Sequence, residues 1–324
     1  MRSVVCEELG PEENLRLRDV PVPELEAGKV LIDMRAAALN FPDVLQIRGK
    51  YQHRQPLPFP VGGEGAGIVS AIGEGVGELK TGDRVIALGK GALADKMLVD
   101  ETHAVLMPQD MDFRSAAGFI TTYATSWYAL NQRGALREGE TLLVLGAGGG
   151  VGTSAIEIGK AMGATVIAAA STAEKLALAE QLGADHLINY SEQGLKDTVK
   201  EITGGRGADL IYDPVGGDYS EQALRAIARG GRFLVIGFAA GDIPRIPLNL
   251  PLLKSCAIVG VFWGAFTIHE PAENAKNMEQ LLQLYSAGKL KPMVKDVFPL
   301  EQYVAAFNCL SERRARGKVI LDIA

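Results

Sequence analysis

Between Thr141 and Ser171 the chain reads TLLVLGAGGGVGTSAIEIGKAMGATVIAAAS, a run whose residue types are suited to holding a phosphate. Apolar Leu142–Leu145 lead into Gly146, Gly148, Gly149, Gly150 and Gly152, and Ile156, Ile158 and Met162 follow on helical spacing. At a helix N-terminus the first N–H groups lack intrahelical partners and the dipole is positive, so a pyrophosphate is favoured there. Missing Cβ atoms let the backbone approach it. A strict G-x-G-x-x-G ending at Gly152 requires glycine at 147, where Ala147 stands, so the turn reads A-x-G-x-x-G. Strand before, helix after and a second strand beyond favour a dinucleotide fingerprint over a flexible glycine-rich loop. Gly148, Gly149, Gly150, Val151 and Gly152 are the expected pyrophosphate contacts.

The tip of the second strand selects between nicotinamide cofactors, because an Asp or Glu there would accept from a free ribose 2′-hydroxyl. Here the strand ends Ala170, Ser171, Thr172, with Lys175 one turn on. No carboxylate at the tip repels a 2′-phosphate, so NADPH is the expected cofactor. Glu174 beside Lys175 argues the other way, and an exposed helical lysine is often only solvated.

The elements that must position this turn are legible in the pattern. After Thr141, apolar runs at Thr165–Ala170, His186–Tyr190, Ala208–Asp213, Arg232–Gly237 and Ala257–Phe262 alternate with helical stretches. That rhythm predicts an α/β fold, a doubly wound six-stranded parallel Rossmann sheet over 118–264. Residues 1–117 instead carry short β-like runs, such as VLIDM at 30–34 and GIVSAI at 67–72, between Gly and Pro turns. They predict a β-rich domain that residues 265–324 complete, with a helix around Met278–Tyr285 and a closing strand Lys318–Ile323. A length of 324 residues with 47% hydrophobic content suits two cores. A net charge of −6 disfavours an electrostatic nucleic-acid surface, and the cluster Arg313, Arg314, Arg316, Lys318 is too short to reverse that. Cys6, Cys256 and Cys309 imply no disulfide framework, the N-terminus has charges too early for a signal peptide, and no run is long and apolar enough to span a bilayer. A cytoplasmic protein is expected.

Taken in order, NFPDVLQIRGKY (40–51), PFPVGGEGAGIV (58–69), GDRV (82–85), TTYATSWYAL (121–130), GGVG (149–152), DPVGG (213–217) and GKVIL (317–321) resemble the medium-chain dehydrogenase/reductase superfamily. Within it they are similar to zinc-free quinone oxidoreductases of the zeta-crystallin type. The resemblance spans nearly the whole chain and implies a GroES-like catalytic domain beside the Rossmann domain. Zinc alcohol dehydrogenases of this superfamily place Cys where Asn40 stands and His where Gly63 stands. Catalytic zinc needs three protein ligands, which Glu64 alone does not supply, and Asp83–Asp100 contains no cysteine for a structural zinc lobe.

The resemblance implies that Tyr51, Asn40 and Asp43 line the pocket beside the nicotinamide. Tyr51 is then the hydrogen-bond donor or proton source, with plain packing against the cofactor as the open alternative. Asn40 would bond the carboxamide or a ribose hydroxyl and Asp43 would orient its neighbours; the other reading of this Asn-x-Pro-Asp segment is a turn. Carried over in the same way are Thr121 near the nicotinamide and Ser171, Lys175 and Tyr190 around the 2′-phosphate. Gly237, Phe238, Val261, Phe262 and Trp263 follow at strand ends, where Phe238 and Trp263 also fit as core aromatics, and Lys318 lies near the cofactor. Similar proteins pair the last strand's edge across a twofold axis, which implies a homodimer.

Without a Lewis acid, substrates that delocalise their own developing charge are favoured, namely quinones and α,β-unsaturated carbonyls. The expected activity is NADPH-dependent, metal-free quinone or enone reduction. An enoyl-CoA or other activated-alkene reductase is the alternative enzyme, and a non-catalytic NADPH-binding or RNA-binding crystallin-like protein the alternative outside enzymes.

Overall fold

The computed structural model describes residues 1–323. The chain forms two compact units, one from Met1–Thr121 together with the segment from Pro292 onward, the other from Thr122–Lys291.

The first unit holds β1 (Arg2–Cys6), β2 (Leu15–Asp19), β3 (Lys29–Leu39), β4 (Phe59–Pro60), β5 (Glu64–Ile72), β6 (Arg84–Leu88), β7 (Lys96–Asp100) and β8 (Ala104–Leu106). The second holds β9 (Thr141–Leu145), β10 (Thr165–Ala170), β11 (His186–Asn189), β12 (Ala208–Asp213), β13 (Ile227–Val235) and β14 (Ala257–Gly260). The returning segment adds β15 (Val294–Pro299) and β16 (Lys318–Asp322) to the first.

In the first unit β2-β1-β4 make a small sheet, and β15-β16-β3-β5-β6-β8 a larger one in which β7 also pairs with β3. Long β3 is the hub: β16, β5 and β7 all pair with it antiparallel. Its alternating apolar residues Val30, Ile32 and Met34 enter a core with Val69, Val85, Met97, Phe307 and Leu321. Where β3 ends, Asn40 caps the helix Phe41–Ile47, with Pro42 in its first turn and Asp43 Oδ2 accepting from the Asn40 N–H at 2.7 Å. Proline and a three-residue polar cap both favour a helix start here.

The second unit is a six-stranded parallel sheet in the order β11-β10-β9-β12-β13-β14. That is the doubly wound 3-2-1-4-5-6 arrangement, whose switch point lies between the first and fourth strands. Central β9 is buried at all five positions, as a strand covered on both faces must be. Strand five starts earlier than expected, at Ile227, and stops at Val235, while strand six ends at Gly260 because the helix Trp263–His269 begins three residues on.

Residues 265–291 lie in the second unit, whereas the sequence reading placed them with the first. Their contacts explain it: Trp263 Nε1 donates to Asn274 Oδ1 at 3.0 Å, Asn277 Nδ2 to Gln132 Oε1 at 2.9 Å, and Lys291 N to Glu157 Oε1 at 2.6 Å. Asn274 and Asn277 belong to one helix, Pro271–Ser286, longer than the stretch its apolar spacing shows.

Candidate active site

In the second unit the glycine turn joins β9 to the helix Gly150–Ala161, with Gly149 at the N-cap. Gly146 sits at φ +59°, in the left-handed region that favours glycine. A Cβ on Gly152 would lie 2.3 Å from the Gly146 carbonyl oxygen, so strand and helix meet closely only because position 152 has no side chain. Ala147 fits because its backbone is ordinary: it is fully buried and its N–H donates to Ala169 O at 3.1 Å. Gly150 and Val151 open the helix, where backbone N–H groups point outward from the turn.

At the tip of β10, Thr172 caps the helix Ala173–Gln181 and Ser171 is half-buried. Lys175 lies on that helix's first turn, and its stem crosses the glycine turn: a Cβ on Gly148 would meet Lys175 Cβ and Cγ at 2.5 Å. Tyr190 N–H donates to Ala170 O at 3.1 Å and its ring stacks, tilted, on Tyr219 at 4.2 Å. Thus Gly148, Ser171, Lys175 and Tyr190 gather at the carboxyl ends of β9, β10 and β11. Gly237 and Phe238 follow β13; a Cβ on Gly216 would touch the Phe238 ring at 2.9 Å, so Phe238 packs on the DPVGG turn. That turn is closed by buried Asp213, which accepts from Val215 N, Gly216 N and Ser220 Oγ. Val261 is buried and bonded through N–H to Val235 O, Phe262 is exposed, and Trp263 is buried with its indole N–H donated to Asn274.

In the first unit the site residues converge on one carboxylate. Glu64 at the start of β5 is fully buried; its Oε1 accepts from Asn40 Nδ2 at 2.8 Å and from Lys318 Nζ at 2.7 Å, and its Oε2 accepts from Thr121 N at 2.8 Å. Lys318, 6% exposed, also donates to Asn40 Oδ1 at 2.7 Å and Leu39 O at 3.2 Å. All three ammonium protons are therefore engaged within this group. Asp43 is buried beside this group. Desolvation foremost, with the Glu64 charge adding to it, raises its carboxyl to about 7 against the opposing pull of the Asn40 N–H and the Lys318 ammonium.

Tyr51 lines a cavity of about 190 Å³ with Leu9, Gln46, His53, Arg54, Leu57 and Phe59. Burial first, and then the Asp43 charge, pushes its phenol above the usual value, so the hydroxyl keeps its proton throughout the physiological range. His53 meets the Tyr51 ring edge-on at 6.2 Å.

The alcohol dehydrogenase GroES-like domain model matches residues 26–109, and the zinc-binding dehydrogenase model matches residues 150–286. Quinone oxidoreductase-like protein 2 of Bos taurus is 35% identical over 99% of this chain and 92% of its own length. The chain belongs to the quinone oxidoreductase family of medium-chain dehydrogenases/reductases. Among solved structures of similar fold, the Escherichia coli quinone oxidoreductase complexed with NADPH gives a TM-score of 0.93 at 29% identity, covering all of both chains. The CurK enoyl reductase gives 0.90 at 27% identity, covering 100% of this chain and 99% of its own.

The donors present in this chain do not match the zinc named in one family model. An amide and a glycine stand at Asn40 and Gly63, and both Glu64 oxygens are taken by N–H donors. Among the described residues no group of three or more His, Cys, Asp or Glu side chains is placed to hold a metal ion, and no helix is long and apolar enough to cross a membrane. Sequence reasoning considered Glu64 only as an insufficient metal ligand. The signal that marks it is a lone acid among glycines, GGEGAG, opening a buried strand.

Proposed function

We propose that this chain is an NADPH-dependent, metal-free oxidoreductase that reduces a quinone or an α,β-unsaturated carbonyl. The observation that carries the reading is the engagement of Glu64 by Lys318, Asn40 and Thr121, which commits both carboxylate oxygens to N–H donors and leaves an amide at position 40, where zinc alcohol dehydrogenases of the superfamily carry cysteine. A substrate reduced here must spread its own developing charge.

The residues present fit the cofactor. The turn Gly148–Gly152 runs into the N-terminus of the helix Gly150–Ala161 and is packed so closely that a Cβ at 148 would strike the Lys175 stem and one at 152 the Gly146 carbonyl; Ser171 and Lys175 at the β10 tip suit a 2′-phosphate, and no carboxylate stands at that tip. When bound, NADPH would supply a hydride, to the β-carbon of an enone or to a carbon or oxygen of a quinone. Tyr51, kept protonated, donates a hydrogen bond to the substrate oxygen as negative charge builds there and supplies its proton, which solvent replaces; products are NADP⁺ and the quinol or saturated ketone. The NADPH complex of the Escherichia coli relative supports this choice of cofactor.

A second reading, reduction of an enoyl thioester, draws on the likeness to the CurK enoyl reductase. The two separate in one assay: NADPH consumption with 1,2-naphthoquinone, an open-chain enone and crotonyl-CoA, with products identified. Faster turnover of crotonyl-CoA than of quinone or enone overturns the first reading. We also propose a homodimer through β14, an edge strand that exposes Ile258, with Leu252 and Leu253 of the helix Asn249–Lys254 also exposed.

A further inference from the structure

Lys318 and Glu64 form a fully buried ion pair, side chains 8% and 0% exposed. Taking two charges out of water seldom adds stability over apolar residues of similar volume, so such a pair points to a role in specificity or function. Its geometry singles out Asn40. The Asn40 Oδ1 faces an ammonium that has only donors, and its Nδ2 faces a carboxylate that has only acceptors. Turning the amide over would set NH2 against NH3⁺ and carbonyl oxygen against carboxylate, two repulsive contacts in place of two attractive ones. One Nδ2–H remains beyond these bonds, with its direction fixed.

The chain is shaped to hold this arrangement. Gly118 borders the Lys318 stem, where a Cβ would come within 3.0–3.2 Å of Lys318 Cγ, Cε and Cβ. Gly317, at φ +74°, turns the backbone into β16 where a Cβ would strike Met293 O at 2.6 Å. Glu64 also holds Thr121 N, so one carboxylate sets two residues assigned to the nicotinamide side.

We propose that Lys318 and Glu64 are positioning residues which lock the Asn40 amide in one orientation, presenting its remaining N–H as a fixed donor to the substrate oxygen or the nicotinamide carboxamide. The proposal rests on the reading of Asn40 as a group that touches substrate or cofactor. Lys318 acts through Asn40 and makes no contact with the cofactor itself.

Two variants test it. Lys318→Met/Glu64→Gln removes both charges together, which avoids the uncompensated buried ion that a single change leaves. Lys318→Ala opens, beside Gly118, the volume of a propylammonium ion. The double variant, folded by circular dichroism, is expected to lose at least 30-fold in kcat for 1,2-naphthoquinone while KM for NADPH stays within threefold. In Lys318→Ala, propylammonium chloride is expected to restore kcat at least tenfold and tetramethylammonium chloride of equal ionic strength to leave it unchanged. The Asn40 side-chain amide proton bonded to Glu64, assigned by its loss in Asn40→Ser, is expected to be protected from exchange in the parent and unprotected in the double variant. Unchanged kcat and unchanged amide protection in the folded double variant overturn the proposal, as does equal rescue by both salts. A parent that reduces no quinone or enone defeats the functional reading instead, and the amide-exchange comparison then decides the positioning by itself.

Discussion

Asp43 shows how one residue's surroundings set the chemistry near it. Buried and facing Glu64, Lys318 and Tyr51, its carboxyl titrates at about 7 in the folded chain against 3.8 ordinarily. With Tyr51 in its proposed role, ionised Asp43 adds negative charge near the hydroxyl that would serve the substrate oxygen, so kcat/KM is expected to fall as pH rises through about 7. Asp43→Asn flattens that limb, and a pH–rate profile checks it. The same shift has a stability consequence. A carboxyl whose folded pKa lies above its unfolded value loses stability as pH climbs from about 4 to about 7, by a constant amount thereafter. Asp43→Asn keeps a carbonyl for the Asn40 N–H and removes the buried charge, so it should raise Tm at pH 8 by ~2 °C or more and by clearly less at pH 5. An equal gain at both values contradicts the assignment. At this scale Asn40, Asp43, Tyr51, Thr121 and Lys318 were named through the family resemblance, and the structure joins Asn40, Thr121 and Lys318 through Glu64. Glu64 was not legible in the sequence, since its partners Asn40 and Lys318 lie 24 and 254 residues away and only the sheet brings them together.

At the scale of elements, the six-strand rhythm was legible because strands buried on both faces read as apolar runs, and TLLVL is the plainest case. Strand ends were less so: apolar Val261 and Phe262 continue the pattern of β14, yet the ladder stops at Gly260. The β10 tip and the glycine turn act together, since the Lys175 stem crosses Gly148. Lys175→Ala is expected to weaken NADPH binding by about 10- to 100-fold, the worth of a charge-assisted hydrogen bond of roughly 1.5–3 kcal/mol, and NADH by less than about twofold. Fluorescence titration with both cofactors measures it, and equal weakening sinks the assignment of Lys175 to the 2′-phosphate. Gly152→Ala, by driving a Cβ against Gly146 O, should cost about 1–3 kcal/mol in stability, read from a denaturant midpoint. The segment after the helix Phe41–Ile47 carries Arg48, Lys50, His53 and Arg54 with no acid before Glu64, in a chain of net charge −6. Arg48 pairs with Glu12, whereas Lys50 and Arg54 have no ion-pair partner among the described residues. With Arg54 lining the Tyr51 cavity, raising salt from about 50 to 500 mM should raise KM for 1,2-naphthoquinone-4-sulfonate and leave that of the neutral parent quinone unchanged.

For the whole molecule, the division into two units followed from composition, but the return point did not. The helix Pro271–Ser286 begins with polar residues, and the bonds that keep it in the second unit run to Trp263 and Gln132 rather than along its own apolar face. Assembly is a property of this scale too: Ile258→Lys on the β14 edge should convert a dimer to a monomer in sedimentation velocity, and a parent that sediments as a monomer contradicts the proposed pairing. Catalysis tests the whole account most directly. Chelator-treated protein is mixed with NADPH and, in turn, a quinone, an enone and an enoyl-CoA ester, with products and stoichiometry determined. The account predicts one NADPH consumed per quinol or saturated ketone formed, with no change on adding zinc. NADPH bound without turnover of any acceptor, or activity that vanishes with the chelator and returns with zinc, would contradict it.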